Sequence, residues 1–112
     1  MRAHVNYRHA FHAGNFADVL KHTVLVGLIE SLKQKNTPFC FVDTHAGSGR
    51  YSLSSEESEK TGEFASGIKP MLGVASLPSL LHIYLNLVRS FNAGPGSGLH
   101  SYPGSPLIVA SL

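Results

Sequence analysis

A single cysteine, Cys40, in 112 residues excludes an internal disulfide, and its place in an apolar run predicts a buried, inert thiol. Charge is sparse as well. Charged residues make up 14% of the chain, where an ordinary soluble domain carries roughly 25%. With 43% hydrophobic residues, intrinsic disorder is excluded, because it needs low hydrophobicity and high net charge. The same imbalance predicts that part of the surface is covered by further protein or by a ligand. Long apolar runs are also missing: the longest, residues 24–29, falls far short of the ~20 residues of a membrane-spanning helix. The polar start MRAHVNYRHA lacks the apolar core of a signal peptide, which points to a cytoplasmic protein. No internal repeat is present, and the length suits one small domain.

Nine cations against seven acids leave a net charge of +2, too little by itself to indicate a nucleic-acid partner. Its distribution says more. Residues 1–51 hold Arg2, Arg8, Lys21, Lys33, Lys35 and Arg50 against Asp18, Glu30 and Asp43, together with five of the seven histidines. The remaining acids, Glu56, Glu57, Glu59 and Glu63, crowd into eight residues. A basic, histidine-rich half beside a short acidic patch suits a polyanion at one face, and equally suits an ordinary solvated surface.

Residues 1–15 are polar, aromatic and histidine-rich without a sustained period, and read as an ordered or ligand-ordered arm. Asn15 is a good N-cap, with Asp18 near the positive end of the helix it starts. Leu20, Val24, Leu28 and Leu32 then recur every fourth residue, widened by Val19, Val26 and Ile29, which predicts a helix buried on much of its circumference. That helix ends by Asn36, since Pro38 biases Thr37 out of the helical region. The run Phe39-Cys40-Phe41-Val42 predicts a short strand buried on both faces, as in a parallel α/β sheet. Residues 43–51 form a glycine-containing loop, and residues 64–91 are helical in pieces broken at Pro70, Gly73 and Pro78, strongest from Leu80 to Phe91. Residues 92–98 read as a flexible loop. Ser105 is the predicted N-cap of a last helix with Pro106 at its first position.

Two constellations could carry chemistry. In Asp43-Thr-His-Ala-Gly47-Ser-Gly49, a carboxylate at the end of the strand precedes a G-x-G turn that lets the backbone approach a nucleoside-like ligand. Ser52 stands where a dinucleotide fingerprint needs its third glycine, which disfavours pyrophosphate. The spacing resembles that of S-adenosylmethionine pockets in class I methyltransferases, and also fits ordinary turn punctuation. The second constellation is Tyr7-Arg8-His9-Ala-Phe11-His12-Ala-Gly14-Asn15, continued by Asp18, Lys21 and His22, with Asp18 and His22 on one helix face. His9, His12 and His22 could ligate a metal, although no cysteine or second acid stands at ligand spacing. The arm could equally pack on the core with its histidines satisfied by backbone groups.

YRHAFHAGNFADVLKH (7–22), FVDTHAGSGRY (41–51), EKTGEFASGI (59–68) and YPGSPLI (102–108) resemble, in order and spacing, the N-terminal part of the family of ribosomal large-subunit RNA methyltransferases J. The first two motifs together are highly specific, and the resemblance is weaker between residues 69 and 100. It implies N6-methylation of adenine 2030 of 23S rRNA with S-adenosylmethionine as cofactor, by an enzyme that is a monomer at full length. It implies an α/β fold: the N-terminal portion of a Rossmann-like class I methyltransferase with an incomplete sheet. Residues 1–52 would supply arm, helix, first strand and cofactor loop, residues 53–101 a helical insertion, and residues 102–112 the start of the next Rossmann helix. His22, His45 and Ser105 fall on cofactor-contacting positions with Lys21 beside them, and Asp43, Gly47 and Gly49 belong to the cofactor loop. Tyr7, with Arg8 and His9, falls on the RNA side, where such residues can stack on an unpaired base and meet phosphates. The family's catalytic Asp-Pro-Pro-Tyr does not occur in this sequence, so no catalytic residue is assigned and the chain is expected to be an inactive N-terminal part. The rival expectations are a non-catalytic RNA-binding remnant and a histidine-rich metal-binding module.

Overall fold

The computed structural model describes residues 8–94 and 98–112. A 3-10 turn, His9–Phe11, leads into helix α1, Phe16–Lys33. As expected, Asn15 caps α1, its side chain accepting from the Asp18 amide at 2.9 Å. Strand β1, Arg50–Ser52, is followed by α2, Glu56–Thr61, a second 3-10 turn, Glu63–Ala65, and α3, Ile68–Met71. Helix α4, Ser79–Ser90, starts directly after Pro78, and strand β2, Ser101–Pro103, runs into α5, Ser105–Ser111. The two strands pair antiparallel with Tyr51 opposite Tyr102, giving a small mixed α/β unit.

The core collects Val26 of α1, Tyr84, Leu85, Leu87 and Val88 of α4, Tyr51, Leu53 and Tyr102 of the ribbon, Ile68 and Ile108. Helix α4 is amphipathic in the way its sequence predicts. Gly27 permits the close approach of α1 to it: a Cβ there would stand 3.2 Å from a Leu80 methyl. Asn92 closes the connection to β2. Its buried amide donates to the carbonyls of Val88 and Ser101 and its Oδ1 accepts from the amides of His100 and Ser101, all at 2.8–2.9 Å.

Four expectations are corrected. Residues 39–42 form no strand: Phe39, Phe41 and Val42 are exposed, and so is Cys40, whose thiol is not buried. A strand buried on both faces needs paired neighbours, and no described strand pairs with this segment. The stripe Leu20, Val24, Leu28 and Leu32 is also exposed, by 45–67%. Helix α1 instead turns Asp18, His22, Val26 and Ile29 inward, because α4 and α5 pack on that side and nothing described covers the other. Residue 104 takes the cap position predicted for Ser105: Gly104 precedes α5 without a side-chain cap bond, and the Ser105 hydroxyl is used elsewhere. Asn92, placed in a flexible loop by its composition, is a buried anchor.

Candidate functional site

Polar side chains in the segments around α1 build a floor of two hydrogen-bonded groups, one around Asp18 and one around His22. Asp18, only 2% exposed, takes His9 Nε2 at 2.6 Å and the Gly14 amide at 3.0 Å on one oxygen, with Lys21 Nζ 3.5 Å from the other. Burial opposes the Asp18 charge, yet the His9 hydrogen bond and charge, aided by His22 and the Gly14 amide, hold its carboxyl below the ordinary value. One turn along α1, His22 is 1% exposed and hydrogen-bonds the Tyr102 hydroxyl through Nδ1 at 2.6 Å, their rings stacked 5.5 Å apart. Burial drives its pKa down to about 4 against the pull of Asp18, so the ring is neutral at pH 7. The Tyr102 hydroxyl meets that of Tyr84 at 2.6 Å. His22 Nε2 is buried without a partner among the described residues.

Above this floor lies a cavity of about 640 Å³, within the range that holds a drug-sized ligand. Four separated stretches supply its walls: Arg8, His9 and Ala10; Lys21 and His22; residues 45–48 with Tyr51; and Gly104 with Ser105. The glycine loop is shaped for this position. Gly47 has φ 63° and Gly49 φ 81°, the left-handed region that disfavours a side chain. A Cβ on Gly47 would also run into the Tyr51 hydroxyl. Gly49 is used differently: it does not border the cavity, the space beside it is open, and its carbonyl accepts the Gly104 amide at 2.6 Å. Asp43 likewise stands outside the cavity, bordering a smaller one of about 310 Å³ shared with Phe41 and Val42. Its carboxylate ties the loop to α5, accepting from the Ser105 hydroxyl and, at 3.0 Å, from the His45 amide. Those bonds, led by Ser105, lower its pKa.

Of the residues singled out in the sequence, Arg8, His9, Lys21, His22, His45, Gly47 and Ser105 therefore meet at one cavity. Tyr7 lies outside the described residues. Arg8 is engaged within the chain, 2.9 Å from Glu57 and over the Phe11 ring; an exposed pair of this kind contributes little and can be exchanged for other anions. His9, His12 and His22 point to Asp18, Glu63 and Tyr102 respectively. No three ligating side chains come together among the described residues. Sequence reasoning missed Tyr51, Tyr84 and Tyr102. Two of them lie inside the quoted motifs, but their pairing across the β1–β2 ribbon had no local signal.

The family model described as RsmJ, "Ribosomal RNA large subunit methyltransferase D, RlmJ", matches residues 36–112. Two curated relatives named "Ribosomal RNA large subunit methyltransferase J" align over 96% of this chain. One, from Escherichia coli strain K12, is 54% identical; the other, from Haemophilus influenzae, is 50% identical. The chain spans 38% of the length of each. The crystal structure of a protein from Legionella pneumophila superposes with a TM-score of 0.79 at 38% identity, covering 89% of this chain and 36% of that one.

Proposed function

The chain belongs to the RlmJ family of ribosomal RNA large subunit methyltransferases, and from that premise we propose that its cavity holds S-adenosylmethionine and its N-terminal arm meets the RNA. The observation that carries this reading is the convergence of Lys21, His22, His45 and Ser105, from three distant parts of the chain, on one cavity whose loop backbone is kept bare by Gly47. The residues fit such a ligand: Lys21 supplies a cation for a carboxylate, the buried orphan nitrogen of His22 awaits a partner, and Gly47 leaves room for close backbone approach. Bound there, S-adenosylmethionine supplies the methyl group. Asp43 and Ser105 act on it indirectly, by locking the loop to α5.

In this reading the fold is the N-terminal portion of a Rossmann-like class I methyltransferase. Residues 1–52 form arm, helix and cofactor loop, residues 53–101 an insertion, and residues 102–112 the next helix. The substrate is 23S rRNA, methylated on adenine N6 in the cytoplasm by an enzyme monomeric at full length. Tyr7, Arg8 and His9 stand on the RNA side in this reading, Arg8 and His9 among the residues that line the same cavity.

Without an Asp-Pro-Pro-Tyr to orient the amino group, the 112 residues lack the positioning and electrostatic help that methyl transfer requires. The expected result is saturable binding of radiolabelled S-adenosylmethionine in equilibrium dialysis, weakened in Lys21→Ala and His45→Ala, with no label transferred to unmodified 23S rRNA. Transfer well above a no-protein control contradicts the assignment of inactivity, and absence of binding contradicts the cofactor site.

A further inference from the structure

Tyr84, Tyr102 and His22 form a buried hydrogen-bonded row, with Oη to Oη and Oη to Nδ1 distances both 2.6 Å and exposures of 0, 0 and 1%. Burial keeps both phenols protonated by raising their pKa values and keeps the imidazole neutral. Three protons are therefore shared among four polar sites: two phenol oxygens, Nδ1 and Nε2.

Three arrangements connect the row. In the first, Tyr84 donates to Tyr102, Tyr102 donates to Nδ1, and the imidazole proton sits on Nε2. One group is then left without a partner, the Nε2–H. In the second, Nδ1–H donates to Tyr102 and Tyr102 donates to Tyr84. The Tyr84 proton and the Nε2 lone pair are then both orphaned in the interior. In the third, Nδ1–H and Tyr84 both donate to Tyr102, which orphans the Tyr102 proton and the Nε2 lone pair. Buried unpaired groups are costly, so the first arrangement wins.

We propose that Tyr102 is a positioning residue that holds His22, a lining residue of the cavity, as its Nε2–H tautomer, so that the one buried nitrogen without a partner among the described residues is a donor and the site favours a ligand bearing a carboxylate. Lys21, the neighbour of His22 on α1 and a lining residue of the same cavity, adds the matching positive charge. Tyr84 fills the acceptor side of the Tyr102 hydroxyl and does not set the tautomer: without it, Tyr102 still loses least by donating to Nδ1. The preference for a carboxylate rests on reading the cavity as the S-adenosylmethionine site, whereas the tautomer does not.

The test uses the 112-residue chain with ¹⁵N-labelled histidine. Long-range ¹H–¹⁵N correlation spectra at pH 7 should show His22 as a single Nε2–H tautomer in the wild type and in Tyr84→Phe, and as a mixture in Tyr102→Phe. The two variants each delete one buried hydroxyl, so a merely structural role would move both alike. Calorimetric titrations with S-adenosylmethionine and with its decarboxylated analogue provide the second readout. The preference for the carboxylate-bearing ligand should fall roughly tenfold in Tyr102→Phe and stay unchanged in Tyr84→Phe. An Nδ1–H tautomer in the wild type, or a spectrum of Tyr102→Phe like that of wild type, overturns the proposal. Equal affinity of the wild type for both ligands overturns the carboxylate preference. If the wild type binds neither ligand while its spectrum is as expected, the cofactor reading fails and the tautomer assignment stands.

Discussion

A neutral histidine in the interior makes stability depend on pH with a definite sign. His22 titrates near 4 in the folded chain and near its ordinary 6.5 when unfolded, so between those values the unfolded chain binds the extra proton. Folding stability from this residue is therefore complete above pH 6.5 and is lost as pH falls toward 4. Lowering the pH from 7 to 5 should cost about 2 kcal/mol, read as a fall in the urea midpoint, and His22→Gln should flatten that dependence. A wild-type midpoint independent of pH over this range contradicts the burial of a neutral ring. At this scale the sequence was legible in part. The i, i+4 spacing put Asp18 and His22 on one face, and that face is buried. The residue that engages His22, Tyr102, lies 80 positions away, and no local pattern encodes such a pairing.

Elements show a sharper division. Helix α1 was readable in its bounds, because Asn15 and Pro38 punctuate it, but its inward face was not. The helix is apolar on two sides, and the regular stripe is the one left exposed. Periodicity reports that a face is apolar; which neighbour covers it depends on tertiary packing. Leu28→Ala should accordingly change stability by no more than about 0.5 kcal/mol, whereas Ile29→Ala, one residue on and 4% exposed, should cost about 2 kcal/mol or more. Chemical denaturation of both variants measures this directly, and equal losses would place the stripe in the core. The ribbon of β1 and β2 was not legible because each strand has three residues and alternation over three positions is no signal. Its anchor, Asn92, sits in a stretch whose composition resembles a linker. Asn92→Ala removes the partner of the buried Ser101 amide and carbonyl, and of the His100 amide, and should cost about 2 kcal/mol or more; a change within error would mean that water replaces the amide.

Across the whole molecule, the motifs that the sequence presents as separate are walls of one cavity. Lys21 and His22 come from a helix, His45 and Gly47 from a loop, and Ser105 from the start of the last helix. The short bond between the Gly104 amide and the Gly49 carbonyl draws the last two together. The surface that the low charged fraction led us to expect is present as the exposed apolar side of α1 together with Phe39, Phe41 and Val42, and surfaces of this kind mark interaction sites or self-association. The central claim is that this chain assembles a cofactor site whose loop depends on a bare backbone. The most direct measurement is calorimetric titration of S-adenosylmethionine into wild type, Gly47→Val and Tyr7→Ala. Wild type and Tyr7→Ala should bind alike, while Gly47→Val, strained at positive φ and driven into Tyr51, should lose on the order of 2 kcal/mol, or roughly thirtyfold in Kd. Wild-type affinity in Gly47→Val, or loss of the cofactor in Tyr7→Ala alone, would contradict it.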